Sequence, residues 1–193
     1  MPRAGLDPKT VTEAAAVIVD ADGLAALTLA RLAADLGVAP PSLYKHVAGH
    51  DDLIVRVATL SIRRLADDLT AAILGRSGRD ALLSFAEAYR RFAVGHPGLY
   101  ALTQMAPAPG LTAHQAAASR ALDVFGAAIR NYGVPDDLSI HAIRMVRAGL
   151  HGFADIEARG GFQMPHPVDE SFLVLLGALD ASLGNLGRRT SGS

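Results

Sequence analysis

An all-α fold is what this chain of 193 residues predicts. Half of its residues are hydrophobic and 19% are charged, with a strong excess of Ala and Leu over β-branched and aromatic types, a balance that favours helix. Apolar residues recur at spacings of three and four, and no strand-like alternation runs for more than a few residues. Glycine and proline clusters cut this pattern into about nine helices. The length allows one domain or two.

The first helix is expected over residues 8–22, where Pro8 suits a first turn behind Asp7, Val11, Ala15 and Ile18 share a face, and Gly23 is the stop. Thr28 caps a second helix, Leu29 to Leu36, before a tight turn at Gly37. Pro40 and Pro41 open a short third helix with its body at residues 42–47. Behind Gly49, Asp51 and Asp52 favour the positive end of a long fourth helix to about Ala72, with Ile54, Ala58, Ile62, Leu65 and Leu69 as its buried stripe. Leu82, Phe85, Tyr89 and Phe92 mark a fifth helix, ending at His96-Pro97-Gly98, and a short sixth helix runs to Met105. A loop through Pro107, Pro109 and Gly110 leads to a helix carrying Leu122, Phe125, Ile129 and Tyr132, closed by Gly133 and Pro135. Residues 136–159 form the next long helix, ended by Gly160 and Gly161. The last helix, capped near Asp169, lines Phe172, Leu175, Leu176, Leu179, Leu183 and Leu186 along one side. The tail from residue 187 reads as disordered.

Charge gives no general signal for nucleic acid. The formal net charge is −1, and within residues 1–70 seven Lys and Arg face nine Asp and Glu. Cysteine is absent, which excludes disulfides and thiolate chemistry. The histidines form no His-Glu-x-x-His motif, the one i,i+4 pair, His46 and His50, is interrupted by Gly49, and no nucleophile elbow or phosphate-cradling glycine loop occurs. Neither a metal nor a cofactor is expected, nor catalysis. No apolar stretch reaches the length of a membrane span and the N-terminus lacks a signal-peptide core, so a soluble cytoplasmic protein is expected.

The most informative stretch is residues 28–53. A two-turn helix, a turn at Gly37-Val38 and a second short helix make a helix-turn-helix, whose second helix is sized for the DNA major groove. On that helix Leu43 and Val47 point inward while Ser42, Tyr44, Lys45 and His46 are available outside. Hydroxyl, phenol, ammonium and imidazole groups suit phosphate oxygens and base edges, and Pro41 offers an apolar surface to a thymine methyl.

The spaced set Thr28, Ala33, Gly37, Val38, Leu43, Tyr44, His46 and Leu53 resembles the N-terminal domain of TetR-family transcriptional regulators. The resemblance implies a homodimeric repressor that binds double-stranded operator DNA and responds to a small-molecule effector. It implies that Thr28, Tyr44 and His46 touch phosphates, that Pro41, Ser42 and Lys45 face bases, and that Arg3 reaches the backbone or minor groove. Two positions depart from the family pattern: Val47 stands where an aromatic residue is usual, and His50 where a phosphate-contacting Lys is usual. With imidazole in place of ammonium at His50, operator affinity is expected to be modest and to rise as pH falls. Residues 150–162 with 169–172 also resemble a C-terminal class of actinobacterial-type members, the WHG class, in which the long helix and the final helix pair across a dimer.

The expected organisation is a DNA-binding part at 1–50, a ligand-binding and dimerising part at 51–188 joined through the fourth helix, and a tail at 189–193. Phe92, Tyr100, Met105, Phe125, Tyr132, His141, Met145 and His151 are candidates for the ligand pocket, with mostly apolar walls and a few polar groups. Ala148, Gly149, Gly152, Phe172, Leu176, Leu179 and Leu183 are candidates for the dimer interface. The competing expectation is a dimeric helical interaction protein that does not bind DNA.

Overall fold

The computed structural model describes residues 6–106 and 110–188. Among them lie eight α-helices and three 3-10 segments: α1 Pro8–Asp22, α2 Leu29–Leu36, α3 His50–Ile73, α4 Gly78–Gly95, α5 Pro97–Leu102, α6 Thr112–Ile129, α7 Asp136–Ala158 and α8 Val168–Arg188, with 3-10 turns at Leu24–Ala26, Pro40–Lys45 and Arg130–Tyr132. The fold is all-α, as composition and spacing predict. The expected Pro107–Pro109 loop and the tail from residue 189 lie outside the described residues, while Gly187 and Arg188, assigned to that tail, are helical. Among the described residues no helix is long and apolar enough to cross a membrane.

The helices form two compact units, made by the described parts of Met1–Arg64 with His96–Ala118 and of Leu65–Gly95 with Ser119–Ser193. This packing division falls inside α3, whereas the functional division expected at residue 50 falls at the start of that helix.

In the first unit, Asp7 caps α1 by accepting the Thr10 N–H at 2.6 Å, and that bond holds its carboxyl below the usual range. Val11, Ala15, Ala16, Ile18 and Val19 are the buried face of α1. α5 packs on this helix backbone to backbone: a Cβ added at Gly98 would overlap the Val19 carbonyl. Beside it His96 Nδ1 meets Asp20 Oδ2 at 2.6 Å. α3 buries Leu53 and Val57 in its first turns, with Ile54 only half-buried, so its stripe is set one residue earlier there than the spacing predicts.

In the second unit, α4, α7 and α8 pack against one another. Phe125 of α6 meets Phe85 edge-on at 4.7 Å between centroids and Tyr89 at 6.0 Å. Arg90 of α4 ties the other helices together. Its Nε and Nη2 donate to Glu157 of α7 at 2.6 and 2.5 Å, Nη2 also meets Asp169 of α8 at 2.7 Å, and the guanidinium lies 4.8 Å from the Phe172 ring centre. The Glu157 hydrogen bond raises the Arg90 pKa further above its already high value, so the charge is permanent.

Arg90 and Glu157 side chains are each only 19% exposed, so removing one strands the other. Arg90→Ala is expected to cost about 2–4 kcal/mol of stability, whereas the double variant Arg90→Met with Glu157→Leu should recover much of it. Chemical denaturation of the three proteins at neutral pH measures this.

Candidate nucleic-acid interface

The helix-turn-helix is built by local rules. Thr28, in extended backbone, accepts the Arg31 N–H on Oγ1 at 3.1 Å and starts α2. Gly37 ends it in the left-handed conformation, φ 66° and ψ 33°, while Val38 N–H returns to the Ala33 carbonyl at 3.0 Å. A residue with a Cβ would be strained at Gly37, which is why a glycine stands there.

The second element is a 3-10 segment, Pro40–Lys45, where the sequence predicts an α-helix at 42–47. The tandem prolines have no N–H to give, and the closing bonds are His46 N–H to Leu43 O at 2.8 Å and Val47 N–H to the same oxygen at 3.0 Å. Leu43 and Val47 are sealed inside, and Tyr44 is 61% exposed. Pro41 and Lys45 are exposed beside it, and Ser42 and His46 are half-buried. The predicted face is thus assembled on one short segment. Thr28 is exposed at the start of α2, the helix before that segment, and Arg3 lies outside the described residues.

His50 is exposed at the start of α3, and its ring makes one hydrogen bond among the described residues. Its Nε2 lies 2.7 Å from the Leu27 carbonyl, so Nε2–H donates there and ties the start of α3 to the loop before α2. Only Nδ1 remains for another partner, and it faces Asp51 at 4.0 Å. The residue that sequence reasoning underrated is Asp52, which accepts the Ala48 N–H at 2.9 Å and Arg56 Nε at 2.8 Å. A carboxylate two residues inside a helix start is the available signal for such a cap.

The near-neutral charge of this region has a structural cause. Arg31 pairs with Asp22 and Asp35, Arg56 with Asp52, and Arg64 with Glu13. Arg31 and Arg64 join helices, Arg56 pairs within α3, and Lys45 stands on the exposed face with no such pair among the described residues.

Residues 82–179 match the model of the tetracyclin repressor-like C-terminal domain. YobS, an HTH-type transcriptional regulator of Bacillus subtilis (strain 168), is 33% identical over 175 residues, 88% of this chain and 88% of its own. The chain belongs to the TetR family. It is an HTH-type transcriptional regulator of that family. SCO7222, a TetR from Streptomyces coelicolor, shares the fold with a TM-score of 0.76 at 19% identity, over 95% of this chain and 100% of that one. The crystal structure of BioQ with its double-stranded DNA operator has a TM-score of 0.62 at 25% identity, over 92% of this chain and 99% of that one. The C-terminal likeness stands at the level of the matched TetR domain; the narrower WHG likeness stays a resemblance.

The candidate pocket residues are divided between the two compact units. Tyr100 and Met105 fall in the first compact unit, and Phe92, Phe125, Tyr132, His141, Met145 and His151 in the second. Phe92, Tyr100 and Phe125 are buried, Met105, Met145 and His151 half-buried, and His141 exposed. Tyr132 donates its hydroxyl to Asp180, which also meets Arg79 Nε at 3.4 Å, and burial with that bond raises the phenol above its usual range. Tyr132 therefore closes the C-terminal packing and does not offer a free hydroxyl.

The dimer candidates on α8 are buried within the chain. Phe172, Leu176, Leu179 and Leu183 are sealed in the core of this chain, and the space at Gly149 is taken by its Leu175 and Leu179. A helix gives one face to its own core, and the leucine stripe is that face. Ala148 is exposed, and Gly152 is half-buried with open space around it. On α8 the outward apolar positions are Leu173 and Val174, 61% and 74% exposed, followed by Gly177, Ala178 and Ala181.

Burial pushes the Asp52 carboxyl up, but the Ala48 N–H and Arg56 outweigh it and leave the group below the usual carboxylate range. A lowered folded-state pKa means stability that is fully present above the unfolded value and lost as pH falls through the folded one. Asp52→Ala should therefore cost about 1 kcal/mol at pH 7, and less below about pH 4. Urea midpoints of both proteins at the two pH values give the difference.

Proposed function

We propose that this TetR-family regulator is a homodimeric repressor that holds a palindromic DNA operator and is released by a small, mostly apolar ligand. The observation that carries the reading is the segment Pro40–Lys45, where Tyr44 and Lys45 are exposed together beside Pro41 over a sealed Leu43. Residues 1–50 read DNA in this proposal, residues 51–188 sense the ligand and dimerise, and 189–193 are a tail. Thr28, Tyr44 and His46 take phosphates, Pro41, Ser42 and Lys45 face bases, Arg3 adds a backbone or minor-groove contact, and His50 adds at most its Nδ1. BioQ, solved with its operator, supports the DNA partner. The protein acts in the cytoplasm, where operator DNA is, and catalyses no reaction.

Dimerisation uses the outward face of α8, Leu173, Val174, Gly177, Ala178 and Ala181, with Ala148 and Gly152 of α7. Two exposed large apolar side chains among small residues allow close helix approach. The ligand lies among Phe92, Phe125, Met145 and His151. It lowers operator affinity only by as much as it binds the released conformation better than the bound one.

The near-neutral charge of the head favours a second reading, a dimeric helical interaction protein without DNA binding, and one experiment separates the two. Binding to duplexes tiled across the neighbourhood of the gene, at two salt concentrations, should pick out one palindromic tile. Tyr44→Ala should abolish that binding, and Lys45→Ala should reduce the slope of log affinity against log salt by about one per protomer. Absence of tile binding at low salt, or equal binding by Tyr44→Ala, selects the second reading. Val174→Glu should convert the dimer to monomer in sedimentation while leaving helical circular dichroism unchanged, since the side chain is outside the protomer core.

A further inference from the structure

Within the first compact unit, the opening turns of α1, the middle of α3 and the lead into α6 enclose a recess of about 480 Å³. None of the expected pocket residues lines it. Its volume is within the range of about 300–1,000 Å³ common for small-molecule sites. Val55, Leu60, Leu111 and Ala113 supply apolar wall. Thr59 and His114, both buried, lie in the wall, where the Thr59 hydroxyl donates to the Val55 carbonyl at 2.7 Å and accepts from His114 Nδ1 at 3.0 Å. His114 Nε2 is 3.4 Å from the Met105 carbonyl, so the ring is held in place and shapes the recess.

The charges of the lining do not cancel. Of the two acids, Asp52 is paired with Arg56 inside the recess, and Glu13 is paired with Arg64, which does not line it. Lys9 lies close enough to Asp7, outside the recess lining, to lower its pKa. Arg63 lines the recess with no ion pair or hydrogen bond among the described residues. In addition α6, 18 residues long, begins at the recess and its positive end adds to the field, whereas that of α1 is capped by Asp7. A guanidinium without a carboxylate, beside apolar wall and two hydroxyl- or imidazole-bearing side chains, matches an acid with an apolar body.

We propose that this recess is a binding site for a small organic carboxylate, with the acid group on Arg63 and the apolar body against Leu60 and Leu111. The site is separate from the sensing pocket and does not depend on the operator-binding proposal, because occupancy is measured on the protein alone. Both α1 and α3 contribute walls, so a bound acid touches the helix before and the helix after the helix-turn-helix segment.

Isothermal titration of the full chain with sodium octanoate and sodium 2-naphthoate, against octanamide, 2-naphthamide and inorganic phosphate, tests this. At least one carboxylate should bind saturably with a dissociation constant of about 1 mM or tighter. Its amide and phosphate should each bind at least about tenfold more weakly, the loss expected for one charge-assisted contact. Arg63→Gln, at an exposed position, should lose a similar factor, and Ala113→Phe should block binding by filling the recess without changing charge. Arg159→Gln in the second unit should bind as the parent does. No binding by either carboxylate, equal binding by amide or phosphate, or unchanged binding by both Arg63→Gln and Ala113→Phe overturns the proposal.

Discussion

Six residues of 3-10 turn have too few internal hydrogen bonds to keep their shape in water, so Pro40–Lys45 depends on what it buries. Leu43 and Val47 are sealed, and the flanking helices contribute Leu32, Ala33 and Leu53 to the same buried class. That burial orients the whole outer face: with Leu43 fixed inward, Tyr44 and Lys45 have to stand outward. The other local devices serve the same end. Thr28 starts α2, Gly37 turns the chain, Asp52 caps the start of α3, and the His50 ring is tied to the Leu27 carbonyl. Each fixes an end of an element adjoining the short segment, and none of them needs a large area of core.

The same economy explains the charge balance. Arginines that would give a DNA-binding domain a basic surface are used between helices, Arg64 with Glu13 and Arg31 with Asp22. A partly exposed ion pair of this kind contributes little to stability, on the order of 0–1 kcal/mol, but it removes the cation from the field seen by a distant phosphate. If Tyr44, Lys45 and His46 read the operator as proposed, their contact geometry has to supply what long-range attraction does not.

The helices were legible in the sequence because their apolar spacing and their Gly and Pro stops agree, from Pro8 and Gly23 to Gly133 and Pro135. The helix-turn-helix face was legible for the same reason, and Leu43, Val47 and Tyr44 stand as the spacing predicts. What was not legible is which of two faces a residue gives to its own chain. The leucine stripe of α8 reads equally well as core or interface, and only burial assigns it to core and leaves Leu173 and Val174 outside. Ion-pair partners far apart in sequence, such as Arg90 with Glu157, leave no local pattern at all. The role of His50 depends on a carbonyl 23 residues away, at Leu27, which spacing cannot foresee.

The contact of α5 with α1 shows what such distant pairings can do. At Gly98 the two helices meet without a side chain between them, against the Val19 carbonyl, and the adjacent His96–Asp20 pair fixes their rotation. A contact of backbone on backbone has no rotamer to absorb movement, so a displacement of α5 along this surface is passed to α1 as displacement, not as local repacking. α5 follows α4 directly in the chain, and α1 carries the C-terminal residues that lead into the helix-turn-helix. A glycine chosen for close approach thereby sets the stiffness with which the start of α5 bears on α1, the helix that precedes the helix-turn-helix.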